Sequence, residues 1–174
     1  AGVGGGAGRG GCEVVGRGKA AAGGVKGRRA GDSNPGGGRV AMVDARGTVA
    51  AHTGEKCIVA AGHETGEQFS AEANLMANDR VWPAMARAFR ETKGDLAERM
   101  LAALDAGQAA GGDIRGKQSA AILLLSAKRT GKPREATPFN LRVARPAEPR
   151  KEARAHVGLP PPPPAIAPVH VPHP

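Results

Sequence analysis

The 174-residue sequence predicts an α+β domain, antiparallel strands covered by a pair of helices, set between a glycine-rich and a proline-rich tail. Three observations predict it. Short apolar runs separated by turn residues occupy positions 39–73; two apolar stripes at helical spacing follow between 79 and 105; and the apolar run Ser119–Ser126 emerges from a polar, Gly-rich loop beginning Gly111-Gly112-Asp113. Short runs punctuated by Asp and Gly mark hairpins, and amphipathic helices bury their apolar stripe against a neighbouring layer.

The elements follow in order. Residues 1–38 hold 16 of the 27 glycines and show neither a two-residue nor a 3.6-residue period. Such a segment loses more backbone entropy than burial returns, so a disordered tail is expected. Its Gly2-Val3-Gly4-Gly5-Gly6-Ala7-Gly8 imitates a dinucleotide fingerprint, but no strand pattern precedes it and no amphipathic helix follows. Val40–Val43, the turn Asp44-Ala45-Arg46-Gly47 and Thr48–His52 read as a hairpin. Cys57–Ala61 is a further short apolar piece, Gly62–Glu67 reads as loop, and Phe69–Ala73 reads as a strand leading to Asn74.

Asp79 is a candidate N-cap, with Pro83 tolerated in the first turn, where N–H groups lack partners. Val81, Met85, Ala88, Phe89 and Thr92 share one face of that helix. Gly94 breaks it, Asp95 caps a second helix, and Leu96, Ala97, Met100, Leu101, Ala103 and Leu104 carry its stripe. Ser119–Ser126 then reads as a buried strand and Phe139–Val143 as one more, alternating strand. Pro160–Pro164 is a stiff polyproline run. The expected organisation is a tail over 1–38, a domain over 39–143 and a disordered basic tail over 144–174.

Charge divides the same way. The formal net charge of +9 falls as +4, −1 and +6 on residues 1–38, 39–126 and 127–174. Basic segments of this kind are solvated and bind polyanions without selectivity. Residues 1–38 and 144–174 contain no aromatic side chain on which bases could stack, so no specific nucleic-acid partner is expected. No apolar run approaches the roughly 18 residues of a membrane span, and no secretory h-region is visible. Cys12 and Cys57 form no CxxC pair, which fits free thiols in a reducing, cytoplasmic setting. The strands and helices of 39–126 are too few for two packed sheets with helices outside. A marginal fold, or support from a partner such as a second copy, is therefore expected.

The candidate site is the loop that opens onto the apolar strand. Asp113, Arg115, Gln118 and Ser119 place a carboxylate, a guanidinium, an amide and a hydroxyl at its mouth. Arg115 can grip a carboxylate in a bidentate fork, and Ser119 can orient a water or a leaving group. The bland alternative is that Asp113 and Arg115 pair with each other or cap the turn. Asn74 is an amide of the kind that supplies oxyanion contacts, or a structural residue. His52, Cys57 and His63 are ligand types for zinc, but their spacing fits no standard ligand pair, so no metal and no cofactor is expected.

The middle of the chain resembles the bacterial domain-of-unknown-function family 1028, grouped with the Ntn-hydrolase-like proteins. The residues that carry the resemblance are Val40–Gly47, Ala51-His52-Thr53-Gly54 with Cys57-Ile58, Ala61-Gly62-His63 with Thr65-Gly66, Phe69-Ser70 and Asn74, Ala84–Phe89, Leu96–Asp113, Arg115-Gly116 and Gln118–Ala121, with Asn140–Val143 similar to the family's last strand. The sequence departs from the pattern at Val59-Ala60-Ala61, where the family places a Trp after its Cys-Ile pair, and at Glu72-Ala73-Asn74, where it favours Gln-Gly-Asn. The resemblance implies an incomplete Ntn-hydrolase-like sandwich and a small amide-type substrate. In that family type the nucleophile sits on a first strand and is activated by its own amine. This chain opens Ala-Gly-Val, so a catalytically incomplete scaffold is expected, or an active amidohydrolase if such a strand precedes it.

Overall fold

In the computed structural model, residues 20–126 and 139–144 are described. They form α1 (Ala21–Ala30), β1 (Arg39–Val43), β2 (Val49–Thr53), β3 (Gly62–Gly66), β4 (Phe69–Ala73), α2 (Val81–Glu91), α3 (Leu96–Ala109), β5 (Ser119–Leu124) and β6 (Phe139–Ala144). The strands pair as three antiparallel hairpins, β1–β2, β3–β4 and β5–β6. The α+β class holds, although the described strands form three small sheets rather than one.

The first hairpin follows the sequence pattern closely. Asp44 Oδ1 accepts the N–H groups of Arg46 and Thr48 at 2.9 and 3.0 Å. Gly47, at φ +82°, closes the turn by donating its N–H to the Asp44 carbonyl at 2.9 Å. The turn thus needs Asp at its start and Gly at its end.

Two elements depart from the sequence expectation. Ala21–Ala30 lies within the segment expected to be disordered, yet it is helical. Asp44 Oδ2 accepts the Ala21 N–H at 3.2 Å, and Ala21, Gly24 and Val25 are buried in a helix that packs on β1 and β2. Tertiary contact here outweighs the poor intrinsic propensity of a Gly-containing helix. Gly62–Glu67 was expected to be loop, but Gly62–Gly66 is strand β3, paired residue for residue with β4. Its glycines serve packing rather than turning. A Cβ on Gly62 would lie 2.4 Å from the Trp82 ring, so glycine lets the indole lie against β3.

Strand β4 shows a strict alternation. Phe69, Ala71 and Ala73 are buried, and Phe69 and Ala71 form a core cluster with Ala86 of α2, flanked by Met85 and Phe89. The Phe69 and Phe89 rings are 4.6 Å apart, and the Arg90 guanidinium lies over Phe69 while pairing with Glu64. The opposite face of β4 carries Ser70 and Glu72, and Asn74 follows two residues on.

Helix α2 starts at Val81 without a side-chain N-cap, so Asp79 does not take the expected role. Asn78 works there instead, accepting the Arg80 N–H through Oδ1 at 2.9 Å and donating Nδ2 to the Ala110 carbonyl at 2.8 Å. The same side chain thus serves the start of α2 and an unpaired carbonyl at the end of α3. Helix α3 opens with the expected Asp95 cap, completed as a capping box with Glu98. Leu101 and Ala97 are buried on its stripe, whereas Leu96 is half exposed.

Strand β5 was expected to be buried throughout, but only Ile122 is. Leu123 and Leu125 remain more than half exposed, because β5 is covered on one side only, where Ile122 meets Leu101. The packing order is α1 on the first hairpin, the first hairpin against the second, and α2 on the second, with α3 beside α2 and touching β5. The expected tail over 144–174 lies outside the described residues beyond Ala144.

Candidate functional site

A cleft of about 450 Å³ opens where the end of β4, the last turn of α3 and the start of β5 meet. Its walls are positioned by backbone pairing. After Asn74 the chain turns sharply at Leu75, a non-glycine residue at φ +61°. Met76 then exchanges two backbone hydrogen bonds with Ala60, at 3.0 and 3.3 Å, and bridges to Asp113 on its other side. Ala77 donates to the Gly112 carbonyl and Ile114 to the Leu75 carbonyl, both at 2.9 Å. The loop after α3 is thereby fastened to the end of β4. Gly111 and Gly112 sit at φ +132° and +67°, conformations that side chains oppose, and this lets the chain leave α3 and enter the pairing at once.

All five residues singled out in the sequence line this cleft: Asn74, Asp113, Arg115, Gln118 and Ser119. Their surroundings differ. Asp113 and Arg115 face each other as a fork, with Nε on Oδ1 at 2.9 Å and Nη2 on Oδ2 at 2.5 Å. Asp113 Oδ1 also accepts the Arg115 backbone N–H at 2.8 Å. The Arg115 side chain, through its hydrogen bonds, holds the Asp113 carboxyl below its ordinary range; partial burial opposes this and the backbone bond adds to it. The mutual pairing weighed for these two residues is therefore present. Gln118 and Ser119 are exposed at the rim. Asn74 Oδ1 is buried and has no hydrogen-bond partner among the described residues.

One lining residue was missed as a candidate. Glu72 shares the cleft, and its Oε1 is likewise buried without a described partner. Burial pushes its carboxyl above the ordinary range, with Arg39 pulling the other way. The signal for it lay in the alternation of β4. Once Phe69, Ala71 and Ala73 are assigned to the α2 side, Glu72 must point with Ser70 to the other. A buried pair of acceptor oxygens at a cleft wall is suited to meeting an amide N–H.

The other candidate ligands do not join this cleft. His52 Nε2 lies 3.3 Å from the Pro35 carbonyl, Cys57 Sγ donates to the Gly38 carbonyl at 3.5 Å, and His63 Nδ1 lies 2.7 Å from Thr53 Oγ1. Among the described residues, no group of three or more His, Cys, Asp or Glu side chains is placed to hold a metal ion. No described helix is long and apolar enough to cross a membrane.

A family model described as a family of unknown function, DUF1028, matches residues 5–153. This match extends past both ends of the resemblance, which runs from Val40 to Val143. Among solved structures, the crystal structure of protein SPO2555 from Silicibacter pomeroyi, a DUF1028 protein, is similar with a TM-score of 0.75 at 26% identity. The similarity covers 87% of this chain but 65% of that one, so this chain spans just under two thirds of its neighbour's length. A comparison with curated proteins gave no match.

Proposed function

The chain belongs to the family of unknown function DUF1028, and from that premise we propose that it is an Ntn-hydrolase-like scaffold whose cleft binds a small amide-type substrate for hydrolysis. The succession of helix, hairpin, hairpin and helix supports the scaffold part of this reading. The observation that carries the substrate part is the convergence of nine polar side chains on one cleft, Glu72, Asn74, Asp113, Arg115, Gln118 and Ser119 together with Arg39, Gln108 and Lys117.

An amide presents one acceptor and one donor, and a selective site must answer both. The carboxamides of Asn74 and Gln118 offer donors and acceptors together. Glu72, whose carboxyl burial holds above its ordinary range, adds a buried oxygen that can accept the substrate N–H. Leaving the buried oxygens of Glu72 and Asn74 unpaired costs about 1–3 kcal/mol each, and an amide N–H entering the cleft would recover part of that. Asp113 and Arg115, already paired, hold the loop shape. Glu72, Asn74, Gln118 and Ser119 bind and orient the amide in this reading, and no described hydrogen bond joins Ser119 to a base.

The test is binding and turnover of a panel of primary amides and N-acyl amino acids, each set beside the matching acid and ester. Ligand-observed NMR would detect binding, and amine or ammonia release would detect turnover. We expect one amide class to bind in preference to its acid and ester. Asn74→Ala and Gln118→Ala should each weaken that binding by roughly 5- to 100-fold. Absence of amide binding, or equal binding by both variants, would refute the proposal.

A further inference from the structure

A second cleft, of about 550 Å³, lies between the end of β2, the start of β3 and the first turn of α2. Its apolar lining is Trp82 with Ala60, Ala61 and Val59, the last 84% exposed at the rim. The indole is fixed because it packs against the bare backbone of Gly62. One wall is the Thr53–His63 pair, whose 2.7 Å hydrogen bond joins β2 to β3 and locks the imidazole in place. The charged residues that line the cleft are Glu55 and Asp79, both exposed carboxylates, and no lysine or arginine lines it. That is notable in a chain with 25 Lys and Arg against 16 Asp and Glu. Arg80, next to Asp79 in sequence, lines a different hollow with Pro83 and Arg87, although Asp79 borders that hollow too.

We infer that this second cleft is a binding site for a small organic ammonium ion, held over the Trp82 ring and balanced by Glu55 and Asp79. The chemistry follows from the lining. An ammonium with methyl or short alkyl groups matches an apolar lining, and its charge is attracted both by the negative face of an indole and by the carboxylates. A carboxylate or phosphate ligand would meet like charge, with no lysine or arginine in the lining to receive it. The site is separate from the amide cleft and rests on none of its residues except through the shared hairpin.

Trp82 is the single tryptophan, and the chain has no tyrosine, so intrinsic fluorescence reports this cleft alone. The full chain would be titrated with choline and, in parallel, with its uncharged carbon isostere dimethylbutanol and with acetate. Saturable change in Trp82 emission with choline, absent for the isostere and for acetate, is expected. Glu55→Gln and Asp79→Asn, both at exposed positions, should each weaken choline roughly two- to fivefold, and added salt should weaken it further. Gln118→Ala should leave it unchanged, which separates this site from the amide proposal. Equal response to the isostere, no saturable response, or full affinity in both carboxylate variants would overturn the inference. If an emission change is ambiguous, calorimetric titration of the same ligands decides between these outcomes.

Discussion

Ile122→Ala should release the β5–β6 hairpin while leaving the rest of the fold in place. The reason lies in how the core is divided. Ile122, 1% exposed, packs with Leu101, 0% exposed, and Met100, Leu124 and Leu141 surround them. A second cluster, Phe69, Ala71 and Ala86 with Met85 and Phe89, shares no member with the first. A hairpin of two strands is marginal by itself in water, so its order depends on the side chain it buries. Truncating a buried isoleucine to alanine costs about 2–5 kcal/mol, from lost transfer energy and the cavity left behind. That favours opening of the hairpin by about 30-fold to a few thousandfold. Native-state hydrogen exchange followed by mass spectrometry would read this as lost protection in 119–124 and 139–144, with 62–73 and 81–91 protected as before. Because Gln118 and Ser119 lead into β5, amide binding should weaken in the same variant. Equal loss of protection in β3, β4 and α2 would refute the reasoning, since it would make the two clusters one cooperative unit. No loss in the hairpin would refute it too.

Two other outcomes are expected. Glu72 has its folded-state pKa raised by burial, so the folded protein binds this proton more tightly than the unfolded chain does. Its contribution to stability is therefore full below the unfolded-state pKa and is lost as pH rises through the folded value. Glu72→Gln should flatten the stability profile across that window and raise stability at neutral pH, as read by urea midpoints at several pH values; an unchanged slope would show that Glu72 is not desolvated. Asp95→Ala removes the side chain that accepts the Glu98 N–H at 2.9 Å, while the bond from the residue-95 backbone N–H to Glu98 Oε2 remains available. A loss of about 1 kcal/mol is expected from the denaturation midpoint. An unchanged midpoint would mean that the burial of Ala97 and Leu101 alone holds the first turn of α3.

Much of the chain could be read without coordinates. The Asp44–Gly47 turn carries its chemistry in two residues, since Asp supplies the acceptor and Gly the positive φ. The α3 start was legible in Asp95 for the same kind of reason, a bond between side chain and backbone three residues apart, while the reciprocal bond of Glu98 came from the structure. The five candidate residues also reached one cleft, four of them because they leave α3 and enter β5 within a few positions. Asn74, distant in sequence from the loop, joined them through the pairing of residues 75–77 with 112–114.

What sequence alone determined, then, were the features whose cause is local: turns, caps, and apolar stripes that repeat within one element. Only the tertiary structure decided the rest. Helix α1 exists because Asp44 and the first hairpin receive it, although its glycines disfavour a helix. Strand β3 exists because β4 pairs with it and Trp82 lies on Gly62, although Gly-His-Glu-Thr-Gly has no strand-like pattern of its own. β5 is exposed on one face because Leu101 covers only the other. Glu72 became a site residue through burial, which no single residue encodes. Burial and pairing are relations between segments far apart in the chain, and they exist only once those segments meet.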